Sequence, residues 1–220
     1  MRRSELVRRI ARIPPPEPAR RELEQVAAPA EAAADLLLAA LAADDLQGRA
    51  VADLGSGTGR LAIGAAILGA RAVTAVEIDP ALVERAREAA QKAGVEVSFE
   101  TRGVAGWCEP VDTVVMNPPF GAQFRHADRP FWTAALTAAR RAVYAFALAD
   151  SRAFVAAIAR EAGAQVDARR PIPWSLPRTF AHHVRERRSI EVDLWALRIG
   201  APRAMARSGP HGPHLPSRPV

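Results

Sequence analysis

Residues 113–121, TVVMNPPFG, run an apolar stretch straight into an asparagine, two prolines and an aromatic ring. Those types in that order suit the handling of an amine. The Asn117 side-chain oxygen and the backbone carbonyl of Pro118 can both accept hydrogen bonds from one NH2 group. With both hydrogens held, the nitrogen lone pair turns toward an electrophile placed in line with it. Pro118 and Pro119 stiffen that platform, because each ring fixes φ. Phe120 offers a face on which the ring carrying the amine can stack, as an enzyme that extracts a base or binds it single-stranded requires. No general base is needed, since the proton can leave after transfer. The plainer alternative is a rigid turn that stops a strand.

A second group of residues supplies the other half of such a reaction. Asp53-Leu54-Gly55-Ser56-Gly57-Thr58-Gly59 has Glu77 and Asp79 following it in the chain. Glycines at 55, 57 and 59 let backbone approach a ligand at a helix start, and an acid ending the next strand can accept from ribose hydroxyls. The spacing is G-x-G-x-G and departs from the dinucleotide fingerprint G-x-G-x-x-G. An acid at this loop would repel a pyrophosphate but suits a cation, such as the amino group and sulfonium of S-adenosylmethionine. A tight strand-to-helix turn without ligand is the alternative. An amine platform beside a cation-binding glycine loop points to a class I methyltransferase.

The elements that must carry these residues read as alternating strands and helices. A helix is expected through Leu36, Leu37, Ala40 and Leu41, closed by Gly48. Then come strand, glycine loop and helix (AVADLGSGTGRLAIGAAILGA), a strand ending at Glu77, a helix stopped by Gly94, and VEVSFE as a strand. After the NPPF segment, RPFWTAALTAARRA reads as a helix, VYAFALA as a strand, SRAFVAAIAREAG as a helix capped by Ser151, and SIEVDLWALRI as the closing strand. Alternation of this kind implies an α/β, Rossmann-like class I methyltransferase fold: a mostly parallel seven-stranded sheet with helices on both faces. We divide the chain into a basic, proline-rich leader (1–20), a methyltransferase domain (21–200) and a tail rich in Pro, Gly and Arg (201–220), expected to be disordered. A single cysteine, Cys108, gives no disulfide framework or multi-cysteine zinc site. No stretch reads as a signal peptide or membrane span, so a cytoplasmic protein is expected.

The formal charge is +6, and Lys92 is the lone lysine among 30 basic residues. Arginine suits bidentate phosphate contacts and base stacking. In 169–188, RRPIPWSLPRTFAHHVRERR, Trp174, Phe180 and His182 interleave with Arg178, Arg185, Arg187 and Arg188, which is the pattern that contact with single-stranded or bulged RNA would need. A solvated hairpin with Trp174 packed on the core is the competing reading. His182 and His183 are adjacent and lack a cysteine or carboxylate cluster, so no metal site is expected. Asp128, ahead of Pro130, fits a helix N-cap.

With LEQ (23–25), DLGSGTGRLAIGAAILGA, TVVMNPPFGAQ, ARRAVYAF, LPRTF and SIEVDL in this order, the chain resembles the methyltransferase-like protein five family, with its archaeal homologues, over about residues 20–200. The resemblance implies methylation of adenine N6 in small-subunit ribosomal RNA. S-adenosylmethionine would be held by Gln25, Asp53, Gly55, Gly57 and Glu77, with Thr58, Gly59 and Asp79 alongside, and adenine by Asn117, Pro118, Pro119 and Phe120. Eukaryotic members resemble a class that needs a small zinc-binding activator subunit. Two departures stand out. The family's opening motif resembles Leu-Glu-Gln-Tyr-Pro-Thr, whereas Val26, Ala27 and Ala28 here lack both hydroxyls, and Arg102 and Gly103 occupy the region where the family places an acid. Rival readings are a protein-glutamine N5 methyltransferase of release-factor type, a DNA adenine methyltransferase, and a non-catalytic RNA-binding subunit with this fold.

Overall fold

The computed structural model describes residues 1–16, 26–120, 127–174 and 190–200. Apolar runs place β1 (Ala50–Leu54), β2 (Ala72–Glu77) and β4 (Val111–Met116) inside the sheet, while the more polar β3 (Ser98–Thr101) forms one edge. β5 (Ala139–Leu148), β6 (Ala164–Ile172) and β7 (Val192–Ile199) complete seven strands in the order β3-β2-β1-β4-β5-β7-β6. Strands β1 to β5 pair in parallel, while β7 runs antiparallel to β5 and β6. The expected sheet is thus present.

Alternation along β5 shows how the sheet divides two cores. Tyr144 and Phe146 face a core shared with α1 (Arg3–Ala11), α2 (Ala30–Ala42), α3 (Arg60–Ile67) and α4 (Pro80–Ala93). Val143, Ala145 and Ala147 face a second core with α5 (Arg129–Ala138), α6 (Arg152–Glu161) and the buried Trp107 and Trp132. α3 lies tight on its neighbours because Gly64 has no side chain: a Cβ there would fall 2.4 Å from Leu37 and 3.3 Å from Ile10. Among the described residues, no helix is long and apolar enough to cross a membrane.

Four boundaries differ from the sequence reading. The segment set apart as a leader contains α1, whose Leu6 and Ile10 are fully buried against α2 and α3, so it is part of the fold. α2 starts only at Ala30, after Pro29 holds an extended ψ, and ends at Ala42, well before Gly48. Arg140 and Arg141, expected to be helical, open β5, because pairing of Ala139 with Val111 overrides the helix propensity of an Ala-Arg run. The sequence reading assigns no strand to 164–172, which forms β6. It is a sheet edge exposed along most of its length, and so carries no apolar alternation to reveal it.

Candidate functional site

Strand order reverses between β1 and β4, and their register pairs Leu54 with Met116. The two carboxyl ends therefore open side by side, where ligands gather in open α/β sheets. The glycine loop and the Asn117 platform line one cleft of about 360 Å³, shared with the strap Val26–Ala28.

Asp53 is 1% exposed. Its Oδ2 accepts from the Ala62 N–H at 2.9 Å, which ties the acid to the first turn of α3. Its Oδ1 is buried and has no hydrogen-bond partner among the described residues. Burial pushes the carboxyl up to about 7, partly offset by the Ala62 bond and reinforced by the charge of Glu77. A cation reaching Oδ1 would restore both its charge and its hydrogen bonding, so this acid fits the amino group of S-adenosylmethionine. The glycines behave as their types demand. At Gly55, φ is +72° and a Cβ would lie 2.6 Å from the Phe131 ring, whereas a Cβ on Gly57 would meet nothing within 4 Å, leaving room over the loop. Thr58 is buried at the cleft wall, and Gly59 is the left-handed N-cap of α3.

Glu77 holds the loop in shape: Oε2 accepts from the Gly57 N–H at 2.8 Å and Oε1 from the Asp79 N–H at 2.9 Å. Each oxygen keeps a lone pair, and the residue lines the cleft, so hydroxyl groups can still be accepted. Asp79 does something other than the cofactor role expected of it. It caps α4 by accepting from the Ala81 N–H at 3.0 Å and stands outside the cleft lining, because the following Pro80 begins the helix there. Glu100 accepts from Trp107 Nε1 at 3.2 Å, while Arg102 and Gly103 reach the cleft.

Asn117 donates from Nδ2 to the Val26 carbonyl at 2.8 Å. That bond fixes which way the amide faces and leaves its Oδ1 buried without a partner among the described residues. Pro118 is buried and Pro119 lines the cleft. Phe120 lies outside that lining and packs edge-on against Trp174, with centroids 5.5 Å apart. Trp174 in turn packs on Phe146 at 5.1 Å and is 7% exposed. The expected stacking of RNA on Trp174 is corrected accordingly: β6 carries this ring inward, where it props Phe120. Gln25, Arg178, Phe180, His182, Arg185, Arg187 and Arg188 lie outside the described residues.

Three cleft residues escaped the sequence reading. Ile78 is 56% exposed directly after Glu77 and offers an apolar face to a flat ring. An isoleucine where a polar turn residue is expected was the available signal. Phe131 closes over Gly55, and Arg60 reaches the strap, donating from Nη1 to the Ala28 carbonyl at 2.7 Å. Neither has a motif of its own.

The family profile of the methyltransferase small domain matches residues 27–144. The rRNA N(6)-adenosine-methyltransferase Mettl5 of Drosophila melanogaster is 31% identical over 170 residues, covering 71% of this chain and 77% of that protein. METTL5 of Danio rerio, with the same description, is 29% identical over 163 residues, covering 69% and 76%. Among solved structures, the candidate RNA methyltransferase PH1948 of Pyrococcus horikoshii superposes with a TM-score of 0.83 at 32% identity, covering 93% of this chain and 98% of that one.

Proposed function

The chain belongs to the methyltransferase small domain family and to the methyltransferase-like 5 relatives within it, and from that premise we propose that it methylates adenine N6 in RNA, with small-subunit ribosomal RNA as substrate. The observation that carries the reading is Asn117 Oδ1, a buried acceptor without a partner among the described residues, in the cleft that also holds the unpartnered Asp53 Oδ1. One is placed for an exocyclic NH2 group and the other for an ammonium.

S-adenosylmethionine supplies an electrophilic methyl on a sulfonium. Asp53 would hold its amino group, Glu77 would accept from its ribose hydroxyls, and Ile78 would offer its apolar face to the adenine. Asn117 Oδ1 and the Pro118 carbonyl hold the two hydrogens of the target amine, which aims its lone pair and raises its local concentration. The amide cannot turn its NH2 toward the substrate without giving up Val26. Phe120, braced by Trp174, stacks on the target base. Transfer would exchange the sulfonium S–CH3 bond for the new N–CH3 bond, leaving a neutral thioether, and the extra proton on the amine would pass to water. A small zinc-binding protein is the proposed activating partner.

The test is transfer of labelled methyl to small-subunit rRNA, with nucleoside analysis of the product and a release-factor protein offered in competition. Labelled N6-methyladenosine is expected. Label in the protein would favour the glutamine reading. RNA binding without cofactor binding would reduce the chain to a non-catalytic subunit.

A further inference from the structure

We infer that Arg60 recognises the carboxylate of S-adenosylmethionine; the inference rests on the cofactor reading above. Arg60 is half-buried at the wall of the cleft. Its Nε and Nη2 donate to the Ile13 carbonyl at 3.1 and 2.8 Å, and its Nη1 donates to the Ala28 carbonyl at 2.7 Å. A guanidinium has five N–H donors, so one hydrogen on each Nη remains. All three of its hydrogen bonds among the described residues end on neutral carbonyls, and burial outweighs the more distant charge of Glu31, so the guanidinium is held below its ordinary range while partly withdrawn from water.

Position ties this charge to the ligand. The amino group assigned to Asp53 and the carboxylate of the methyl donor sit on the same carbon, so the anion must lie within a few ångströms of the acid. Asp53 is bonded to the backbone of Ala62, and Arg60 lies in that same first turn of α3. Acid and guanidinium thus flank the same glycine loop and line the same cleft, opposite charges suited to the two ends of an α-amino acid head.

The test titrates S-adenosylmethionine and its decarboxylated analogue, which keeps the amine and sulfonium, into wild type, Arg60→Met and Arg60→Lys by calorimetry. Wild type should prefer the intact ligand by about 30-fold. Arg60→Met should bind both equally, and Arg60→Lys should keep part of the preference. Equal affinity of wild type for the two ligands overturns the inference whatever the variants do. Loss of affinity for both ligands by one common factor in Arg60→Met would also overturn it, reducing Arg60 to a clamp on the strap. If wild type binds neither ligand, the cofactor reading fails and takes the inference with it.

Discussion

Asp53 makes cofactor binding a titration. Its carboxyl is held at about 7 by burial, because water is excluded and the Ala62 N–H serves only one oxygen. The ammonium needs the ionised form, so below pH 7 binding must first expel a proton. Affinity should fall about tenfold for each pH unit below 7 and level off above about 8. Calorimetry of S-adenosylmethionine in two buffers of different ionisation enthalpy should find roughly half a proton released per ligand at pH 7, and nearly a whole one at pH 6. The free protein should show the opposite trend. A folded-state value raised from 3.8 to about 7 gives stability that is fully present below 3.8 and lost as pH rises through 7. Asp53→Asn should therefore stabilise the free protein at pH 8 while weakening the cofactor on the order of 30-fold and removing the proton release. Constant affinity from pH 6 to pH 8 with no proton release would refute this account of Asp53.

Asn117→Ala should lower methyl transfer by about 10²- to 10³-fold while leaving the cofactor dissociation constant within about twofold, measured by initial rates and calorimetry. Gly55→Ala combines φ of +72° with a Cβ 2.6 Å from the Phe131 ring, so thermal unfolding should register a loss above about 1 kcal/mol together with weaker cofactor binding. Asp45 is fully buried and accepts from Tyr144 Oη at 2.8 Å and Arg198 Nη1 at 2.6 Å. It sits in the connection entering β1, at the opposite end of the sheet from the cleft. Asp45→Ala should cost about 3 kcal/mol in urea unfolding, with cofactor affinity unchanged well below the transition. Trp174→Ala should remove the brace behind Phe120 and raise KM for RNA more than it changes cofactor binding, as steady-state kinetics would show.

What the sequence made legible was chemistry that dictates its own backbone. Glycines at positive φ, prolines after a buried strand, and an acid at a strand end each admit few conformations, so Asp53, the glycine loop and Asn117 could be placed before any fold was known. The alternating apolar runs then required a parallel sheet, and its switch point brings the two groups into one cleft. The rest failed for a common reason: it depends on partners remote in the chain. α1 shows few apolar residues, Leu6, Val7 and Ile10, among arginines, and its close approach to α3 depends on the missing Cβ at Gly64. For Trp174 the basic residues of 169–188 favour RNA contact over core packing, yet beyond β6 the ring packs on Phe120 and Phe146, the alternative. The strap carries this furthest. It departs from the family motif at tyrosine and threonine, but what the structure takes from residues 26 and 28 is two backbone carbonyls, one orienting Asn117 and one bound to Arg60. Valine and alanine supply those carbonyls as well as any residue can. The departures at 26 and 28 therefore spare both the bond that orients the Asn117 amide and the bond that ties Arg60 to the strap, since each needs only the backbone.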